Sequence, residues 1–137
     1  MKVLKTCLSK SWGGLEMYTL QTVEQLLKSG IDAELLCFPG SKIFEEAKRQ
    51  GVKVHSSKFA GYFHPLEIKK TADLIKQNKY DIIHSGASKD LWLVVPALKI
   101  SSSKTPLLLS KHMGSYIVKK DFMHKWIYSR VNYALAI

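Results

Sequence analysis

What most constrains this 137-residue chain is an alternation: short aliphatic runs are each followed by a longer stretch with helical apolar spacing, and turn residues fall between them. "KVLKTCL" reads as a first strand. "LEMYTLQTVEQLLKSG" reads as a helix with Leu15, Tyr18, Val23, Leu26 and Leu27 near one face and Gly30 just past its end. "IDAELLCF" is a second strand stopped by Pro39 and Gly40, "SKIFEEAKRQG" a short helix closed by Gly51, and "VKVH" a short third strand. "HPLEIKKTADLIKQN" opens with Pro65 in a helical first turn, where a missing N–H costs nothing, and turns Ile68, Ala72 and Ile75 inward. "YDIIHSG" is strand four; Ser88 is expected to cap the helix of "SKDLWLVVPALK", and Pro96 to kink or end it. "TPLLLSKH", "DFMHKWIYSRVN" and "ALAI" follow as strand, helix and strand. Strand, helix, strand repeated in this way implies parallel pairing through right-handed crossovers, hence an α/β fold with a doubly wound parallel sheet in three layers. The length predicts one domain.

Composition removes several classes. With 46% apolar and 23% charged residues, the chain can build a core without staples. Cys7 and Cys37 each sit in an apolar run, with no Cys-x-x-Cys pair or zinc-ligand spacing, which predicts buried free thiols of a reducing compartment and no metal site. Lys5 and Lys10 interrupt the N-terminal apolar stretch, so it does not read as a secretory signal, and nowhere do eighteen apolar residues run together. The net charge of +10 calls for an anionic partner: nucleic acid, anionic lipid or a phosphorylated substrate. In the last third, Lys99, Lys104, Lys111, Lys119, Lys120, Lys125 and Arg130 are opposed only by Asp121, with Phe122, Trp126 and Tyr128 interleaved. One reading is a solvated helix face whose aromatics pack inward. The other is a shallow contact with an anionic membrane through Lys119, Lys120, Lys125, Trp126 and Arg130. No nucleic-acid-binding module is legible.

In an open parallel sheet a ligand binds beyond the carboxyl ends of the strands. That rule selects Ser9 to Glu16, His84 to Ser88 and Lys111 to Ser115. Gly13 and Gly14 allow two readings: a tight turn into the first helix, or a platform whose amides meet a phosphate or sugar hydroxyl. The G-x-G-x-x-G fingerprint is absent and strand two ends in Cys37-Phe38-Pro39 without a ribose-binding carboxylate, which argues against nicotinamide cofactors. No Walker loop occurs, and Lys10 stands where a receiver domain places magnesium-binding acids. His84 and His112 fall at strand ends, where an imidazole can donate or accept within a crevice; His55, His64 and His124 read as surface or loop histidines. Glu16 suits a first helical turn through the dipole alone.

Three pieces in order, "SWGGLE" after strand one, "YDIIHSG" at strand four and "LLLSKH" at strand five, resemble the N-terminal half of family 4 glycosyltransferases of the GT-B fold. The resemblance spans essentially the whole chain. It implies a Rossmann-like, acceptor-side domain over residues 1–137, facing a donor-binding domain that this chain lacks, so that the isolated chain binds acceptor weakly and transfers nothing. By position, Gly13 and Gly14 would lie against the diphosphate or sugar of a nucleotide-sugar donor, and His112 would contact the transferred sugar as the catalytic contact. Glu16, His84, Ser85, Gly86 and Lys111 would border the acceptor side of the cleft. Retaining transfer in this family resembles front-face displacement, in which the leaving phosphate helps deprotonate the acceptor and no protein nucleophile is needed. The resemblance implies no cofactor beyond the nucleotide sugar, no metal, a cell-envelope glycan or glycolipid such as lipopolysaccharide core as acceptor, and a cytoplasmic enzyme at the inner face of a membrane. Lys111 stands where the family often has threonine, and Asn132 where an aspartate often precedes the last strand. A module of the same fold that binds an anionic ligand without catalysis is the alternative.

Overall fold

A computed structural model describes residues 1–59, 64–111 and 122–136. Six strands form one sheet: β1 (Lys2–Cys7), β2 (Asp32–Cys37), β3 (Val54–Ser56), β4 (Ile82–Ser85), β5 (Leu107–Lys111) and β6 (Tyr133–Ala136). Every pairing is parallel, in the order β3-β2-β1-β4-β5-β6. The chain lays down β1, β2 and β3 in one direction, then returns to place β4 on the other side of β1. That reversal opens a crevice between the carboxyl ends of β1 and β4, where the loops leaving the two strands diverge to opposite faces.

Helices α1 (Gly14–Lys28), α2 (Lys42–Arg49), α3 (Pro65–Asn78), α4 (Leu91–Ile100) and α5 (Phe122–Ser129) make the outer layers. Side chains alternate across a strand, so β1 sends Leu4 to one face and Cys7 to the other. Cys7, Leu35 and Cys37 pack with Leu20 and Val23 of α1 and Ile43 and Ala47 of α2. Leu4, Ile83, Leu107 and Leu109 pack with α3 and α4 and with Ile127 of α5 on the other face. This is the three-layer, doubly wound α/β architecture the alternation requires. β1, β2, β4 and β5 are each a residue or more shorter than their apolar runs, because the ends of those runs turn into the loops, while β3 and β6 are shifted along theirs.

Three local expectations are corrected. In α1 the inward face is Glu16, Thr19, Leu20 and Val23, while Tyr18 and Leu27 are exposed. Polar groups hold that face because they are satisfied: the Thr19 hydroxyl donates to the Leu15 carbonyl at 2.9 Å, and Glu16 accepts from Ser9. Ser88 does not cap α4; it begins a 3-10 turn, Ser88–Asp90, that leads into the helix. Of the two effects expected of Pro96, ending the helix is not seen, since α4 continues to Ile100. Val94, Val95, Ala97 and Leu98 are buried around it, and this packing outweighs the one helical hydrogen bond that proline forgoes.

Candidate functional site

The crevice is built from the loops after β1 and β4. The first carries Ser9 to Gly13 into α1, a fifteen-residue helix whose amino end points at the crevice and whose amides no side chain caps. Glu16, which could have reached back to cap that end, is buried and accepts the Ser9 hydroxyl at 2.9 Å, while Ser9 Oγ also accepts the Ser11 amide at 3.1 Å. The acid is thus committed to shaping the loop.

The backbone conformation of the two glycines does not require glycine. Gly13 is extended, at φ −161°, and Gly14 begins the helix, so neither uses the left-handed region that glycine opens. Among the described residues, a Cβ built on either would meet nothing within 4 Å. Space is therefore kept above two backbone units at the positive end of a helix dipole, an arrangement suited to close approach by an anion. Gly86 is the opposite case. A Cβ there would stand 3.0 Å from the Thr6 carbonyl oxygen and 3.3 Å from Thr19 Oγ1, so this glycine is required by packing. Its amide donates to the same Thr6 carbonyl at 3.1 Å.

Asp90 straps the two loops together. Its carboxylate, 2% exposed, accepts the Thr6 hydroxyl at 2.9 Å and the Leu8 amide at 3.4 Å. Burial pushes the Asp90 carboxyl up to about 6, against those two hydrogen bonds, which pull it down. Beside Thr6 in register, Ser85 has a buried hydroxyl without a hydrogen-bond partner among the described residues.

His84 lies within the sheet surface. Its Nδ1 is 2.9 Å from Lys5 Nζ and its Nε2 2.5 Å from Ser110 Oγ, a row running across β1, β4 and β5. Lys5 is 1% exposed, and burial lowers its ammonium to about 8. An ammonium only donates, so Nδ1 of His84 accepts and Nε2 carries the proton given to Ser110. Of the residues singled out from the sequence, Gly13, Gly14, Glu16, Ser85 and Gly86 thus gather at the β1–β4 edge. Lys111 closes β5, two strand spacings or about 10 Å from β1. His112 lies outside the described residues, as do Lys119 and Lys120. Sequence reasoning missed Lys5, Thr6 and Asp90. The strand alternation that puts Val3 and Cys7 on one face also puts Lys5 there, and Asp90 is the last charge before eight residues that are apolar or proline.

Two hollows lie away from this edge. One of about 480 Å³ runs along β3 and α3, lined by His55, Lys70, Asp73 and Gln77 among others. Another of about 260 Å³ lies at the far end of the sheet between Lys79, Ser101 and Thr105.

A family model for Glycosyltransferase Family 4 matches residues 12–136. The chain belongs to glycosyltransferase family 4. Solved structures agree in fold with this family 4 domain. A glycosyltransferase from Rickettsia africae ESF-5 is 19% identical with a TM-score of 0.77, over 99% of this chain and 36% of that one. Anabaena HepE, in complex with UDP and glucose, is 19% identical with a TM-score of 0.65, over 82% and 30%. The lipopolysaccharide outer core galactosyltransferase WaaB, in its apo form, is 15% identical with a TM-score of 0.71, over 98% and 38%. The chain therefore spans about a third of the length of these proteins. A search of curated proteins gives no match.

Proposed function

We propose that this family 4 domain forms the acceptor-side wall of a cleft in which a sugar passes from a nucleotide-sugar donor to a cell-envelope glycan or glycolipid, with the facing wall and most donor contacts supplied by a second domain. The observation that carries the reading is the open space above Gly13 and Gly14 at an uncapped helix end, which neither turn geometry nor packing requires. The donor's diphosphate would meet those amides, where the dipole stabilises the charge that grows on the leaving phosphate. The acceptor would enter between that loop and the ends of β4 and β5, past Glu16, Ser85, Gly86 and Lys111, with His84 beneath them in the sheet and His112 following β5. The leaving phosphate would take the acceptor's proton, so the protein's part is to bind, orient and stabilise charge. UDP and glucose in HepE support a nucleotide-sugar donor, and the galactosyltransferase WaaB supports an envelope acceptor. Such an enzyme would work on the cytoplasmic side of a membrane.

UDP-glucose serves as the probe, read by saturation transfer from the chain. Transfer to its uridine and glucose protons is expected, and Gly13→Val should remove it while shifting the free energy of unfolding by less than about 0.5 kcal/mol, since valine suits extended backbone in open space. No saturation transfer to the wild-type chain, or undiminished transfer in Gly13→Val, would count against the reading.

A further inference from the structure

The two helical layers carry different charge. Helices α1 and α2 hold four cationic and four anionic side chains. Helices α3, α4 and α5 hold five cationic and two anionic ones. Of those two anions, Glu67 is buried and accepts the Ser57 hydroxyl, while Asp73 is paired with Lys69 at 3.6 Å. Among the helices the positive excess therefore lies on one face, and Lys79, Lys104 and Arg130 follow the same three helices.

The apolar residues on that face are placed unevenly. Leu66 and Phe122 are each 79% exposed, more than any other large apolar side chain among the described residues. Both stand in the first turn of a helix, α3 and α5 respectively. Each helix follows a parallel strand, so both first turns lie at the carboxyl edge of the sheet, the edge that carries the crevice. With α4 between them, the two side chains are separated by about 20 Å of helix packing. Lys69 and Lys70 follow Leu66 within about one turn, and Lys125 follows Phe122 at the next neighbouring position of its helix.

Of the residues the sequence reading offered to a membrane, Trp126 and Arg130 are half-buried, and Lys119 and Lys120 lie outside the described residues. Trp126 is packed against the core with Lys99 over its ring at 5.0 Å, and the Arg130 guanidinium donates to the carbonyls of Ser103 at 3.2 Å and Thr105 at 2.6 Å. Both are held by the fold. Lys125 remains exposed.

We infer that the rim formed by the first turns of α3 and α5 docks on an anionic bilayer, with Leu66 and Phe122 entering the headgroup boundary and Lys69, Lys70 and Lys125 meeting lipid phosphates. Two apolar tips backed by lysines match that surface, which is apolar a few ångströms beneath its charge. A nucleic acid would be met by stacking aromatics along a groove, and Leu66 cannot stack. The docking stands independently of whether the crevice transfers sugar.

The test is flotation of the chain with vesicles of phosphatidylcholine alone and of phosphatidylcholine with about a third phosphatidylglycerol. Recovery is expected only with the anionic vesicles, falling steeply with added salt. The double variant Leu66→Ser, Phe122→Ser should bind them at least about tenfold more weakly, and each charge removed in Lys69→Gln or Lys125→Gln about fivefold more weakly. Ile100→Ser, an exposed apolar residue at the far end of the same layer, should bind as wild type does. All of these side chains are exposed, so a circular dichroism spectrum like that of the wild type is expected throughout. Equal recovery with neutral vesicles, full binding by the double variant, a loss in Ile100→Ser equal to that of the double variant, or capture by a single-stranded oligonucleotide in place of vesicles would overturn the inference.

Discussion

Lys5 sits in the middle of β1 with its side chain buried beside His84, and no carboxylate pairs with it among the described residues. Its ammonium falls from 10.5 to about 8, so between these values the unfolded chain holds a proton the folded chain has released. Stability should therefore climb as pH rises through that window. The thiols of Cys7 and Cys37 act the other way from pH 9.0, because burial holds them protonated to about 12. Urea denaturation at about pH 8 and pH 9 reads the lysine by difference, because the thiols act alike in both proteins: the stability change between the two pH values should be more positive in wild type than in Lys5→Met. The glycines make a second prediction at this scale. Gly86→Ala should cost about 1–3 kcal/mol, since its Cβ meets backbone that cannot move aside, whereas Gly14→Ala should be neutral or gain up to about 1 kcal/mol through the unfolded chain. The same unfolding curves read both. The sequence shows the pair at 13 and 14 but not this contrast, because a glycine required by packing and one that leaves space are the same letter.

Among elements, the strap from Asp90 to β1 joins the two loops that border the crevice. Asp90→Ala leaves the Thr6 hydroxyl and Leu8 amide buried without that acceptor, which should cost about 1–3 kcal/mol. The raised carboxyl sets a sign. Between pH 3.8 and about 6 the folded protein keeps a proton that the unfolded chain has lost, so stability should fall as pH rises through that interval, and Asp90→Asn should flatten the fall. Thermal unfolding midpoints in buffers across the interval would show it; the same slope in the variant would exclude Asp90 as its source. Hydrophobic spacing made the elements themselves legible. The inward Ile68, Ala72 and Ile75 of α3 follow directly from the pattern. The face of α1 and the course of α4 did not, since Glu16 and Thr19 are buried by partners distant or silent in a hydropathy pattern, and Pro96 is overruled by tertiary packing.

At the scale of the whole molecule, strand order decides where chemistry can occur. The return of the chain to place β4 beside β1 brings the glycine loop and the His84–Ser88 segment to one edge, and puts the end of β5 one strand away. That much was legible in the alternation of strands and helices, because parallel strands leave few places where loops diverge. The uneven division of charge between the layers was not, since a net charge of +10 does not say which helices share a face. The central claim is that the amides opening α1 receive the phosphates of a nucleotide sugar. Amide chemical shifts of the isotopically labelled chain, followed as UDP-glucose is added, test it most directly. Saturable shifts are expected at Gly13, Gly14 and Leu15 and in the loop from Gly86 to Lys89, with the β3–α3 groove around His55 and Gln77 unmoved; shifts confined to that groove, or none at the glycines, would contradict it.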